Sequence, residues 1–133
     1  MSQQNVETLR RAYEAFDRGD LDAAVADAHP DVEYISSGAI PGQGDVARGS
    51  EAYKRFISWL SDVFEDARLE PKEFIDAGDR VLGGFTLSGR GKQSGIKTSW
   101  TMWQVWTLKD GMFVHGQGFT TRDEALEAAG LRE

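Results

Sequence analysis

Trp100-Thr-Met-Trp-Gln-Val-Trp-Thr-Leu-Lys-Asp110 carries three of the chain's four tryptophans, and its two-residue spacing decides how the remainder is read. Alternation along a strand places Trp100, Met102, Gln104, Trp106 and Leu108 on one face. That face is apolar apart from one amide, the pattern of a cavity wall with a single polar handle. Gln104 therefore has two readings. It is either a buried amide satisfied by its neighbours, as buried polar groups must be, or a donor that orients a ligand. Trp100 and Trp106 are large enough to serve as core and as wall together.

After this strand come Asp110-Gly111 and a second strand-like run, Met112 to Thr121. A two-residue turn pairs Trp106 with His115 and Gln104 with Gln117, and turns His115 toward the cavity. A three-residue loop from Lys109 to Gly111, with glycine in a bulge, pairs Trp106 with Val114 and turns His115 outward. Gly116 and Gly118 remove side-chain volume from this strand, which predicts a widened wall.

Upstream, Leu69 to Ile75 and Arg80 to Ser88 read as strands joined by the turn residues Asp76-Ala-Gly-Asp79, with a loose tip from Gly89 to Gly95. The first half is helical. Val6, Leu9, Tyr13 and Phe16 recur at helical spacing before Gly19. Asp20 caps a second helix with the stripe Leu21, Ala24, Val25 and Ala28, ended by Pro30. Val32 to Ser36 alternates as a short strand, and residues 37–49 form a glycine-rich polar loop. Ser50 caps a third helix with Tyr53, Phe56, Ile57, Leu60 and Phe64 on one face. Thr121 with Glu124 is a capping box for a closing helix that ends at Gly130. Helices first and hairpins later predict one α+β domain over residues 1–133, a curved antiparallel sheet wrapped around three helices, with a short C-terminal helix.

Composition removes several functions. The net charge is −7, and the basic residues are not clustered, so a nucleic-acid partner is not expected. There is no cysteine, hence no thiol chemistry. His29 and His115 have no ligand spacing to each other or to paired carboxylates, so neither a metal nor a cofactor is expected. His29 reads as a surface residue at a helix end. The N-terminus lacks a basic start followed by an apolar stretch, and no apolar run approaches the roughly 18 residues of a membrane span. A cytoplasmic protein without a membrane partner is expected.

Five segments carry a family likeness: 5–22 (Asn-Val-Glu-Thr-Leu-Arg-Arg-Ala-Tyr through Gly-Asp-Leu-Asp), His29-Pro-Asp-Val-Glu33, Arg48-Gly-Ser-Glu-Ala52, Val105 to Gly111, and Glu124 to Leu131. Together they resemble the SnoaL-like branch of the nuclear transport factor 2-like superfamily. The resemblance implies a cone-shaped sheet closed by three helices around a pocket, usually in a homodimer. It leaves activity open, because that superfamily holds polyketide cyclases, ketosteroid isomerases, dehydratases, epoxide hydrolases and proteins that only bind. The isomerase base falls on Ser36, and a serine hydroxyl without a neighbouring base cannot abstract a proton at neutral pH. The isomerase tyrosine does not fall on Tyr13. The acid of the cyclases falls on Gly118, and that resemblance also favours the outward register for His115.

These readings predict an apolar pocket lined by Tyr13, Phe16, Tyr34, Trp59, Phe64, Trp100, Met102, Gln104 and Trp106, with Ser36, His115 and Gln117 as further polar candidates and no assigned catalytic residue. The expected ligand is a hydrophobic, oxygenated ring compound, either transformed without a cofactor by cyclase- or isomerase-type chemistry or simply bound. An outward patch of Thr101, Trp103, Val105, Phe113, His115 and Phe119 is expected to hold the second copy of a homodimer.

Overall fold

The computed structural model describes residues 2–36 and 46–131. Most of the polar loop expected at 37–49 lies outside the described residues. Ten elements follow in chain order: α1 (Ser2–Asp17), α2 (Leu21–Ala24), β1 (Ala28–Ile35), β2 (Val46–Arg48), α3 (Ser50–Val63), β3 (Phe64–Ala77), β4 (Arg80–Gly91), β5 (Lys97–Lys109), β6 (Met112–Phe119) and α4 (Arg122–Ala128). The six strands form one curved, unclosed sheet in the order β2-β1-β6-β5-β4-β3. Every pairing is antiparallel except β1 with β6, which is parallel.

The inner face of the sheet is covered by α1 and α3. Val6, Leu9 and Tyr13 on α1 are buried against it with Val32, Val81, Phe85, Met102 and Trp106. The first helix ends where expected. Gly19 takes φ +82°, and the Asp20 N–H returns to the Ala15 carbonyl at 2.9 Å. The second helix is shorter than its apolar stripe predicts. It stops at Ala24, and Ala28 already pairs with Phe113 in the sheet, so His29 and Pro30 belong to β1. Pro30 is tolerated there because the β1–β6 register shifts between Ala28 and Glu33, where no ladder hydrogen bond is required of it. Gly49, not Ser50, caps α3, and Phe64 has left that helix to begin β3.

The β5–β6 hairpin combines features of both expected registers. Asp110 and Gly111, with φ of +53° and +78°, make a two-residue turn between Lys109 and Met112. A bulge then absorbs Val114, and beyond it Thr107 pairs with His115, Trp106 with Gly116 and Gln104 with Gly118. His115 and Gln117 consequently share the outer face with Thr107 and Val105. Phe113, before the bulge, faces inward and is buried against Trp106 at 5.0 Å between rings.

That inversion changes the outer face too. Part of the patch expected to receive a second copy, Trp103, Val105 and Phe119, is the seat of α4. Leu82 and Val105 are buried beneath Ala125 and Ala129, with Trp103 and Phe119 packed at the margin. The capping box holds α4 in place, since Thr121 Oγ1 accepts from the Glu124 N–H at 3.2 Å and donates to the Glu124 carboxylate at 2.9 Å.

Candidate functional site

Inside the cup, α1, α2, α3, β1, β3, β4, β5 and β6 enclose a cavity of about 70 Å³. Tyr13, Phe16, Tyr34, Trp59, Met102, Gln104 and Trp106 line it, joined by residues absent from the expected set, chiefly Tyr53, Phe56, Leu60, Phe85 and Phe113. Phe64 and Trp100 do not line it. They pack on one another beside the wall, 5.8 Å between rings, and the Trp100 N–H turns to the Met102 sulfur. Ser36 follows the end of β1, and His115 and Gln117 lie on the outer face, so none of the three further polar candidates reaches the cavity. Tyr53 sits one turn before Phe56 and Ile57 on the apolar stripe of α3. A phenol on such a stripe was the available sign of its place.

Gln104 is the hub of the polar groups. Its Oε1 accepts from the Tyr13 hydroxyl at 2.7 Å and from the Trp106 indole N–H at 2.9 Å, and its Nε2 donates to the Tyr34 hydroxyl at 3.0 Å. Three elements distant in sequence thus meet at one amide. Room for the meeting comes from glycine. Gly83, opposite Gln104 on β4, lies directly beneath the Tyr13 hydroxyl, and a Cβ on Gly116 would stand 2.5 Å from the Trp106 ring. The missing side chain of Gly116 therefore seats the indole instead of widening the pocket, as the sequence had suggested. Aromatic contacts continue outward from the hub. Tyr34 stacks on Trp106 at 5.2 Å and meets Tyr53 at 5.6 Å and Phe56 at 5.2 Å.

Burial raises the pKa of all three phenols. Tyr34 is pushed up to about 12, with the Gln104 N–H pulling slightly the other way. Tyr13 rises well above its ordinary value through burial and then through its phenol neighbours, and Tyr53 rises for the same reasons. At neutral pH they are uncharged hydrogen-bonding groups and not bases. No Asp, Glu, His, Lys or Arg lines the cavity among the described residues. Glu33 lies outside, where its carboxylate meets Arg48 at 3.1 Å and His115 at 3.5 Å. Asp31 is exposed on the same strand. No group of three His, Asp or Glu residues is placed to hold a metal among the described residues, and no described helix is long and apolar enough to cross a membrane.

The half-buried part of the wall is carried by helices. The half-buried wall residues are Ala12 and Phe16 of α1 and Tyr53, Phe56, Ile57 and Trp59 of α3. The strand-borne wall is buried throughout. Access and rigidity are thus divided between helices and sheet.

A curved sheet closed by helices around an aromatic cavity is the architecture of the SnoaL-like domain. The chain belongs to that family, whose model matches residues 9–116. Among solved structures, a nuclear transport factor 2-like protein of unknown function from Burkholderia pseudomallei is 27% identical, with TM-score 0.77 over 93% of this chain and 95% of that one. TerC, co-crystallised with polyporic acid, is 26% identical, with TM-score 0.76 over 96% and 98%. A Jannaschia protein assigned as a SnoaL-like polyketide cyclase is 21% identical, with TM-score 0.76 over 98% and 94%, and shows the fold alone. No curated protein sequence matches the chain.

Proposed function

We propose that the protein binds a hydrophobic, oxygen-bearing ring compound in this cavity and performs no acid–base chemistry on it. The observation that carries this reading is the cavity wall itself, aromatic and aliphatic throughout, with polar side-chain atoms supplied, among the described residues, by phenols, an amide and an indole. General acid–base catalysis needs a group whose pKa lies near the working pH. A phenol at about 12 is far from it. The complex of the 26%-identical TerC with polyporic acid supports ligand binding in this fold.

A cavity of about 70 Å³ is smaller than the roughly 300–1,000 Å³ of drug-sized ligand sites. A ring compound enters by displacing the half-buried side chains of α3, above all Tyr53 and Phe56, while the buried strand wall stays fixed. Native mass spectrometry of the freshly purified protein, with identification of whatever it releases, tests the reading. The compound is expected to be an apolar ring molecule recovered unaltered after incubation in D2O. Its conversion to a product, or deuterium incorporated at one of its carbons, would overturn the proposal.

A further inference from the structure

The hydrogen bonds at Gln104 identify one proton that the cavity offers. Trp106 Nε1 can only donate, so the amide atom facing it at 2.9 Å is the oxygen, and the amide orientation is fixed. The Tyr13 hydroxyl, 2.7 Å from the same oxygen, must also donate to it. Both lone pairs of Oε1 are then occupied. Nε2 donates to Tyr34, which makes the Tyr34 oxygen an acceptor and leaves its own proton to be placed. No described residue accepts that proton. Tyr34 is 2% exposed, so water reaches it only through the cavity. A buried hydroxyl proton without an acceptor is costly, and buried donors normally have a partner.

The required partner has definable chemistry. It is an acceptor oxygen inside the cavity. A carbonyl suits it best, because a carbonyl brings no further proton to be placed. An anionic oxygen would lie in an apolar space with no lining cation among the described residues to compensate it. We infer that the cavity selects an uncharged ring compound through one carbonyl oxygen that accepts the Tyr34 proton, and that Gln104 is a positioning residue that aims this hydroxyl. This inference rests on the cavity being the ligand site and adds the class of ligand.

Three probes of nearly equal size test it: acetophenone, ethylbenzene and benzoate, each titrated into the protein and followed by the tryptophan indole N–H resonances. Acetophenone is expected to bind roughly three- to tenfold more tightly than ethylbenzene, the worth of one neutral hydrogen bond, and benzoate more weakly than either. Tyr34→Phe should bring acetophenone down to ethylbenzene without changing ethylbenzene. Gln104→Leu should shrink the same ratio, which a merely structural role would leave intact while weakening both compounds together. Equal binding of the two neutral probes to the native protein, or a ratio that survives Tyr34→Phe, would overturn the inference while leaving the ligand site standing. Benzoate binding tightest would overturn the selection of an uncharged compound. Failure of both neutral probes to bind would overturn the reading of the cavity as a ligand site and this inference with it. Should Tyr34→Phe not fold, the ratio in the native protein decides.

Discussion

The two faces of β5 are built from the same thirteen residues and do opposite things. Inward, Met102, Gln104, Trp106 and Leu108 meet α1, α3 and β1 through neutral groups, and the Gln104 amide ties Tyr13, Tyr34 and Trp106 into one hydrogen-bonded cluster. Outward, Trp103 and Val105 lie beneath α4 with Leu82 and Phe119, and the seam is closed by ions: Glu73 receives Arg122 at 2.7 and 3.3 Å and the Trp103 N–H at 3.4 Å. The difference teaches where each kind of interaction is affordable. Ions sit at a margin that water still wets, whereas the cavity holds only groups that stay neutral when buried.

The largest expected effect breaks the inner face. Trp106 is 2% exposed, touches Tyr34, Tyr53 and Phe113, and holds one of the two donors to Gln104. Trp106→Ala should cost about 3–5 kcal/mol and lower the melting temperature by roughly 10–20 °C. A loss below a few degrees in calorimetry would mean that the indole is not part of the stable core.

Gln104→Leu comes next and sharpens the comparison. It keeps the volume nearly constant but orphans the Tyr13 hydroxyl and the Trp106 N–H, at about 1–3 kcal/mol for a buried unsatisfied donor before relaxation. A fall in stability of about 2 kcal/mol is expected, and part of it should vanish in the double mutant with Tyr13→Phe, since residues in one network do not add. Additive effects would show that the three side chains are not coupled.

Much of this contrast was legible in the sequence, and its limits have physical causes. The inward stripe of β5 followed from alternation alone, and Gly19, Thr121 and Gly130 marked their helix ends because caps and left-handed residues are local signals. The bulge at Val114 was not legible. One additional residue in a strand leaves the apolar pattern readable in either phase, and it turned Phe113 inward while keeping His115 out. The seat of α4 was not legible either, since an apolar outward patch reads alike whether a helix of the same chain or a second copy covers it. The Tyr13–Gln104–Tyr34 cluster spans 91 residues of separation at its widest. Nothing local in any of the three segments announces the other two.

The smallest expected effect separates the two faces by pH. Arg122 beside Glu73, more than any other neighbour, holds its carboxyl below the ordinary value of 4.5, with the Trp103 N–H assisting and burial opposing. A carboxyl whose pKa is depressed on folding stabilises the fold above its unfolded value, and that contribution disappears as pH falls through the folded value. The α4 seam should therefore loosen from about pH 4.5 downward, while the neutral Gln104 cluster does not respond there. The phenols behave in the opposite sense. Their pKa is raised on folding, to about 12 for Tyr34, so their contribution is complete below pH 10 and declines as pH rises beyond it. Glu73→Gln should cost less than about 1 kcal/mol at pH 7, as a partly exposed ion pair usually does, and less at pH 3, nearer the carboxyl's depressed pKa. Amide exchange of α4 measured at both values reads this directly. Equal protection of α4 in the native protein at pH 7 and pH 3 would show that packing on Leu82 and Val105 holds the helix and that the ions contribute nothing.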